Sequence, residues 1–215
     1  MSTSPATLGR RERKKLETRR ALQDAALRLT LDHGLSKVTV EEIAEAADVS
    51  VRTFFNYFAT KEDAIVGDDP DRPEQLRAAV LARPHGEQPL MSLRAVLVEM
   101  AEQMMSDDDP WERRLRVIKT HPELLTAHLA AWSRLERVLV EAIAARTGTD
   151  PDEDLYPGVV VAAAVGANRV AALRWRGTRT RSGPSDVPAR SLSALVGEAI
   201  DALATGLRAP TPRTR

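Results

Sequence analysis

The sequence contains no cysteine, few aromatic residues and no long apolar run. The absence of cysteine excludes disulfide bonds and thiolate metal sites. No run of 18 apolar residues occurs and no signal-peptide pattern opens the chain, so we expect a cytoplasmic protein without a membrane partner. Positive and negative side chains balance at 31 each, so the net charge indicates no class of partner.

The motifs of common enzyme and cofactor classes are also missing. The sequence has no G-x-S-x-G, G-x-G-x-x-G, P-loop or H-E-x-x-H pattern. His121 and His128 are seven residues apart. On a helix that spacing is about 10.5 Å along the axis, which is too long for two ligands of one metal ion. We therefore expect neither catalysis, nor a cofactor, nor a bound metal.

The few aromatic residues are concentrated in one place. Four of the five Phe and Tyr residues lie between positions 54 and 58. Val51, Phe54, Phe55 and Phe58 follow the i, i+3, i+4, i+7 spacing of one helix face. The spacing predicts a short helix whose core face contains all three Phe rings.

The rest of the chain indicates helices as well, because Ala, Leu, Arg and Glu dominate and alternating β-branched residues are scarce. Thr39 with Glu42 and Thr60 with Asp63 are spaced as capping boxes, and Ser50 is a suitable N-cap. Glycines and prolines mark the breaks between later helices. The predicted helices cover about 11–33, short stretches that begin near 39, 50 and 60, and then 74–83, 90–106, 110–119, 122–147, 153–177 and 187–208.

Two of the short helices are joined by a turn of three or four residues around Asp48, which is the arrangement of a helix-turn-helix. The core stripe of the second helix leaves Arg52, Thr53, Asn56 and Tyr57 facing outward. Arginine can donate a bidentate pair to guanine and asparagine can pair with adenine, while hydroxyls bind phosphate oxygens. The pattern therefore predicts a helix that reads DNA. The alternative is a core helix that merely has a polar outer face.

Further positions are predicted to bind the DNA backbone. Lys61 opens the next helix, where its charge adds to the positive end of the helix dipole. Residues 10–20 carry seven basic against two acidic side chains, which favours a basic arm that follows phosphates. The alternative for this run is a solvated helix start. The other predicted DNA contacts are Arg11, Lys14, Lys15, Thr39, Ser50 and Val51.

One ordered succession of residues runs from about Arg19 to Ala64. It comprises Ala26, Leu29, Gly34, Val38-Thr39-Val40, Ile43-Ala44, Ala47, Val49-Ser50-Val51, Thr53 to Phe58 and Lys61-Glu62-Asp63. This succession resembles the DNA-binding domain of the TetR family of transcriptional repressors. The sequence departs from the family pattern at Asp48, which is usually Gly, and at Phe55. The latter is often a Tyr whose hydroxyl reaches the DNA backbone, so we interpret Phe55 as a packing residue.

The resemblance implies an all-α homodimer with a three-helix helix-turn-helix domain on operator DNA and a helical domain for ligand binding and dimerisation. It implies a repressor that a small effector releases from a palindromic operator. The rival interpretation is a helical structural or interaction protein without sequence-specific DNA binding. The predicted domains are a disordered arm (1–9), the helix-turn-helix domain (10–66), a connector (67–74), the ligand-binding and dimerisation domain (75–208) and a disordered tail (209–215).

The last two long helices are the predicted dimer interface. The helix around 158–176 is apolar nearly all round, and the final helix carries a stripe of Leu, Val and Ala. The family resemblance implies that these two helices from each subunit form a four-helix interface. The alternative is that both helices only close the core of one subunit.

A ligand pocket is predicted in the same half of the chain. Its tryptophans and methionines could line an apolar cavity, with polar groups orienting an anionic head, although core packing is the alternative role. The segment from Arg114 to Leu124, with Trp132 and Leu135-Glu136, resembles the subgroup associated with acyl-CoA-like ligands. The predicted ligand contacts are Met104, Trp111, Arg114, His128, Trp132, Asn168 and Trp175.

Overall fold

The computed structural model describes residues 9–67, 69, 71–105, 110–179 and 190–207, and this part of the chain is helical without any strand, which confirms the predicted all-α fold. A 3-10 turn at Leu35–Lys37, which the sequence did not predict, precedes the second helix. The predicted disordered arm (apart from residue 9) and the predicted disordered tail lie outside the described residues. The α-helices are α1 (Arg10–His33), α2 (Val40–Ala46), α3 (Val51–Phe55), α4 (Lys61–Val66), α5 (Arg72–Leu81), α6 (Pro89–Met105), α7 (Pro110–Thr120), α8 (Pro122–Thr147), α9 (Leu155–Arg179) and α10 (Leu192–Ala204).

The chain divides into two compact units. The N-terminal unit contains the described residues within Met1–Asp69 and Asp109–Trp132, and the C-terminal unit contains those within Pro70–Asp108 and Ser133–Arg215. The N-terminal unit therefore includes α7 and the first part of α8, which the sequence grouped with the C-terminal domain. This grouping depends on contacts between residues far apart in the chain, which local periodicity does not contain.

In the N-terminal unit, α1 packs against α2, α4 and α7. The completely buried side chains of its core come from α1, α2, α3, α4, α7 and α8. They include Leu22, Leu27, Ile43, Phe54 and Ile65. Phe54 is the buried residue by which α3 enters this core.

Hydrogen bonds at the helix starts confirm the caps predicted from the sequence. Thr39 accepts from the backbone N–H of Glu42 at 3.2 Å, and the Glu42 carboxylate accepts from the Thr39 backbone N–H at 2.9 Å. That backbone hydrogen bond, followed by the one from the Thr39 side chain, lowers the pKa of Glu42. Thr60 and Asp63 form the second capping box at the start of α4. Such boxes satisfy the orphan N–H groups of a first turn, so even the short helices α2 and α4 have defined beginnings.

In the C-terminal unit, α10 packs against α6 and α9. A bidentate ion pair joins α6 to α10, in which Arg94 donates from Nε at 2.7 Å and from Nη2 at 2.8 Å to the two carboxylate oxygens of Asp201. The guanidinium crosses α10 at Gly197, where a Cβ would lie 3.0 Å from Arg94 Nη2. A glycine at this position therefore leaves room for the arginine.

Helix α9 has both a buried face and an exposed apolar face. Val161, Ala164, Ala171 and Trp175 are buried in the core of the C-terminal unit. The segment Leu155–Gly177 has the length and hydropathy of a membrane span, with a mean hydropathy of 1.3, although its buried face packs against α6 and α10. On the opposite side, large apolar side chains remain exposed at Leu155, Val159, Val170 and Leu173.

Candidate nucleic-acid interface

Helices α2 and α3 form the helix-turn-helix that the sequence predicts. Four residues separate the end of α2 at Ala46 from the start of α3 at Val51. In this turn Asp48 has a left-handed backbone with φ of 53°. This explains why the TetR pattern has glycine here, and why aspartate, which tolerates the conformation better than most residues, can replace it.

Helix α3 begins at a cap and presents two polar side chains to solvent. The Ser50 hydroxyl accepts from the backbone N–H of Thr53 at 3.1 Å and lies 2.8 Å from the Thr53 hydroxyl. Phe54 is fully buried, whereas Arg52 and Asn56 are exposed, and Asn56 is the C-cap of the helix. The buried ring and the capped start hold α3 in place, so that its guanidinium and amide groups project from a rigid support.

The interpretation of Phe55 as a packing residue is wrong. Its side chain is 55% exposed, while Phe54 and Phe58 are buried. Successive residues are about 100° apart round an α-helix, so a core centred on Phe54 and Phe58 leaves Phe55 at its margin. Phe55 touches this core through one edge-to-face contact with Phe54, at 5.4 Å between ring centroids and 88° between ring planes.

Tyr57 follows α3 and is half-buried against the core of the N-terminal unit. The guanidinium carbon of Arg19 lies 5.5 Å from the centroid of the Tyr57 ring and 5.2 Å from that of Phe58. Arg19 also approaches Asp69, with 3.9 Å between Nε and a carboxylate oxygen. A cation over two aromatic faces stabilises this arrangement electrostatically, and it fixes the ring that the sequence predicts as a DNA contact.

Arg19 therefore differs from the other side chains of the basic run 10–20, which the sequence predicts as an arm that follows phosphates. Only 4% of its surface is exposed, whereas Arg11, Lys14 and Lys15 are exposed along α1. One signal in the sequence could have separated them. Arg19 continues the spacing of the buried Leu22 and Ala26 by one helical turn, so the helix places it on the core face.

Lys61 has a structural role that the sequence did not indicate. Its ammonium donates to the carbonyl oxygens of Leu35 at 3.0 Å and Val38 at 2.8 Å, both in the 3-10 turn region before α2. The predicted phosphate contact of Lys61 stays a prediction. The hydroxyls of Thr39, Ser50 and Thr53 are likewise engaged in helix caps, and Val51 packs half-buried against the core.

The predicted ligand contacts are distributed over the two units. The side chains of Met104 and Trp111 lie outside the described part of the structure. Arg114, His128 and Trp132 belong to the N-terminal unit, and Asn168 and Trp175 to the C-terminal unit. The ligand set as a whole stays a prediction.

Three of these side chains have environments that bear on the prediction. Arg114 is committed to the fold, because its Nε donates to the carbonyl of Ile65 at 2.9 Å and its burial lowers its pKa. Trp175 is a core residue with 5% exposure. His128 is half-buried, and desolvation lowers its pKa, so burial favours its neutral form.

A capped helix with exposed arginine and asparagine, placed after a tight turn, defines a helix-turn-helix protein of the DNA-binding class. Comparisons with known proteins agree. The family model for bacterial regulatory proteins of the tetR family matches residues 22–64, and the model for the MftR C-terminal domain matches residues 87–208. The chain therefore belongs to the TetR family of bacterial transcriptional regulators.

Individual relatives cover most of the chain. It is 36% identical to the HTH-type transcriptional regulator TcmR of Streptomyces glaucescens over 179 residues. The matched segment covers 80% of this chain and 79% of TcmR. It is 28% identical over 142 residues to the HTH-type transcriptional repressor KstR of Rhodococcus jostii, or 64% of each chain. The crystal structure of FadR from Bacillus subtilis in complex with stearoyl-CoA shares the fold, with a TM-score of 0.54, 16% identity and coverage of 88% of this chain and 99% of FadR.

Proposed function

We propose that the protein is a ligand-responsive repressor that binds a palindromic operator as a homodimer. The observation that carries this proposal is the exposure of Arg52 and Asn56 on a helix fixed by the buried Phe54. Side chains that read base edges must be free of the fold and yet held at a defined angle, and these two meet both conditions. The name of KstR, a transcriptional repressor, supports the sign of regulation.

The remaining DNA contacts would position the protein on the phosphate backbone. Arg11, Lys14 and Lys15 are exposed on the first two turns of α1, where they present positive charge to solvent. Such contacts supply affinity that depends on salt, but they carry no sequence information. We assign specificity to α3 and general affinity to α1.

We propose that the dimer interface is centred on α9. Leu155, Val159, Val170 and Leu173 form one exposed apolar stripe, with the small residue Gly166 at its middle. The sequence also predicts α10 as part of the interface. Its apolar residues Leu192, Leu195 and Val196 are instead buried within the C-terminal unit of the same subunit. A large apolar face that remains exposed in the subunit indicates an interaction surface.

Sedimentation can test this interface. Val159→Arg should convert the dimer to a monomer, because it places a charge on the apolar stripe. Leu31→Arg makes the same change at an exposed apolar residue on α1 and should leave the dimer intact. A Val159→Arg protein that still sediments as a dimer would contradict the assignment.

We propose an effector of the acyl-CoA class, supported by the fold shared with FadR, which was crystallised with stearoyl-CoA. The effector would bind more tightly to a form of the dimer whose two α3 helices no longer match successive major grooves about 34–36 Å apart. Effector binding would then favour the dimer form that does not bind DNA, to an extent set by the difference between the effector's affinities for the two forms. Stearoyl-CoA should displace labelled operator in an anisotropy titration, and coenzyme A without the acyl chain should not.

A reporter experiment tests the function as a whole. Duplexes recovered from a random DNA pool would be placed between a promoter and a reporter gene. The wild-type protein should lower expression, and a variant with Arg52→Ala and Asn56→Ala should not. Failure to recover any preferred duplex would favour the rival interpretation, a helical protein without sequence-specific DNA binding. Equal expression with both proteins would contradict repression through Arg52 and Asn56.

A further inference from the structure

An exposed aromatic ring stands on the predicted DNA-reading face. Among the exposed large apolar side chains of the described N-terminal unit, Phe55 is the aromatic one, and the others are leucines. Arg52, Phe55 and Asn56 have the spacing i, i+3, i+4, and all three are exposed. They therefore lie on the same side of α3. The phenyl ring is part of the surface that the proposed function directs at DNA.

The chemistry of this ring restricts what it can contact. A phenyl group has no hydrogen-bond donor or acceptor, so it cannot bind a phosphate oxygen as a hydroxyl would. In the major groove, the apolar group that base pairs present is the C5 methyl of thymine, and phenylalanine is one of the side chains that contact it. Water released from the ring and the methyl group stabilises such a contact.

The ring is also held in place before any DNA arrives. Phe54 is fully buried, and its ring meets Phe55 edge-to-face at 5.4 Å. Aromatic pairs in this geometry attract each other beyond the area they bury. A side chain restrained in this way loses little conformational freedom on binding, which favours its use in recognition.

We propose that Phe55 reads a thymine methyl in each operator half-site. This inference rests on the proposed function and deepens it by assigning one base and one atom group. Neighbouring side chains at i+3 and i+4 lie about 5–6 Å apart. The thymine should therefore lie within about two base pairs of the bases that Arg52 and Asn56 contact.

The test replaces thymine by deoxyuracil, which removes only the methyl group. Starting from a duplex selected from a random pool, each thymine of the half-site is replaced in turn, in both half-sites together, and the Kd is measured by fluorescence anisotropy. For the wild-type protein, replacement of one particular thymine should raise the Kd by about three- to fivefold per half-site. This factor corresponds to the free energy of burying one methyl group. The other replacements should have little effect.

Phe55→Ala provides the second arm. This variant should bind the thymine duplex more weakly than the wild type and should no longer distinguish thymine from deoxyuracil at that position. Because Phe55 is exposed, the variant should fold, which its melting curve would verify. Leu31→Ala is the matched control, since it removes another exposed apolar side chain of the same unit and should retain methyl dependence.

The outcomes separate this inference from the proposed function. If the wild-type protein selects duplexes but its Kd does not change on removal of any thymine methyl, the assignment of Phe55 is wrong and the repressor proposal stands. If Phe55→Ala still distinguishes thymine from deoxyuracil, the assignment of Phe55 is also wrong. If no duplex is selected at all, the proposed function itself fails.

Discussion

The ammonium nitrogen of Lys61 lies 2.8 Å from the carbonyl oxygen of Val38, to which it donates a hydrogen bond across 23 residues of sequence. A second hydrogen bond to Leu35 makes this lysine a tie between the start of α4 and the turn before α2. Charge-assisted bonds of this kind are about twice as strong as neutral ones. The same side chain that the sequence offers to phosphate thus stabilises the helix-turn-helix itself.

Lys61→Met should therefore lower the free energy of unfolding by about 1–3 kcal/mol, because two carbonyls lose a charged donor. Urea unfolding measures this change. Lys14→Ala removes an exposed lysine of α1, should leave stability unchanged, and should flatten the dependence of log K on log salt by about one unit. A Lys61→Met protein with wild-type stability and a flattened slope would show that Lys61 acts mainly on phosphate.

Two neighbouring phenylalanines allow a matched test of packing. Phe54 is 0% exposed and Phe55 is 55% exposed. Phe54→Ala should destabilise the protein by about 3–5 kcal/mol, since it leaves a cavity in a packed core. Phe55→Ala makes the same chemical change and should cost less than about 1 kcal/mol, because little of its ring is buried. Equal losses in thermal unfolding would refute the assignment of inner and outer faces on α3.

Base reading by α3 predicts a specific loss of affinity. Arg52→Ala or Asn56→Ala should weaken operator binding by about 1–3 kcal/mol and change binding to random duplex far less. Gel-shift titrations on both duplexes give the two numbers. Equal weakening on operator and random DNA would mean that these side chains contact the backbone and do not read bases.

Gly67, which ends α4, should be intolerant of substitution for two reasons. Its φ is 78°, and a Cβ there would lie 2.5 Å from the guanidinium carbon of Arg114. That guanidinium donates a hydrogen bond to the carbonyl of Ile65. Gly67→Ala should therefore cost the left-handed backbone penalty of about 1–2 kcal/mol and also displace Arg114. Gly148→Ala, at φ of 68° with open space around it, should show only the backbone penalty. Equal losses for the two variants would mean that Arg114 moves aside freely.

The carboxylate of Glu87 predicts an acid-dependent loss of stability. Arg83 donates to it at 2.8 and 2.6 Å and Ser92 at 2.9 Å. The bond from Arg83 is the main cause that lowers the pKa of Glu87 to about 2, against an ordinary value of 4.5. Because the folded pKa is the lower one, the unfolded chain binds more protons between these two values. The stabilisation is thus complete above pH 4.5 and is lost as the pH falls towards 2.

Urea unfolding between pH 6 and pH 2.5 can measure this loss. Glu87→Gln should be less stable than the wild type near neutral pH, and the difference between the two proteins should shrink as the pH falls. A difference that is constant over this range would contradict the role of the Arg83–Glu87 pair.

The local features of this fold could be read from the sequence, and the tertiary ones could not. Thr39 with Glu42 and Thr60 with Asp63 were predicted correctly because a capping box depends on residues only three positions apart. Phe55 was placed inward because the i, i+4 spacing from Val51 includes it in the apolar stripe, whereas it lies about 100° from Phe54 round the helix and so at the margin of the buried face.

Two further features depend on contacts between distant segments. The burial of Arg19 depends on Tyr57 and Phe58, and its neighbours in sequence are basic residues that mask it. The packing of α7 onto the N-terminal helices depends on contacts such as Arg114 with Ile65. The spacing of Arg19 with Leu22 and Ala26 indicates that it faces the core, but periodicity in one sequence does not indicate the partner segment of either Arg19 or α7.

The central claim is that the exposed face of α3 gives this chain sequence-specific binding to double-stranded DNA. The most direct measurement is selection of bound duplexes from a random pool, followed by sequencing of the enriched pool. We predict a palindromic consensus whose half-sites are centred about one helical turn apart, or a multiple of it, as expected for two α3 helices related by dimer symmetry. Recovery of sequences indistinguishable from the starting pool would contradict the account.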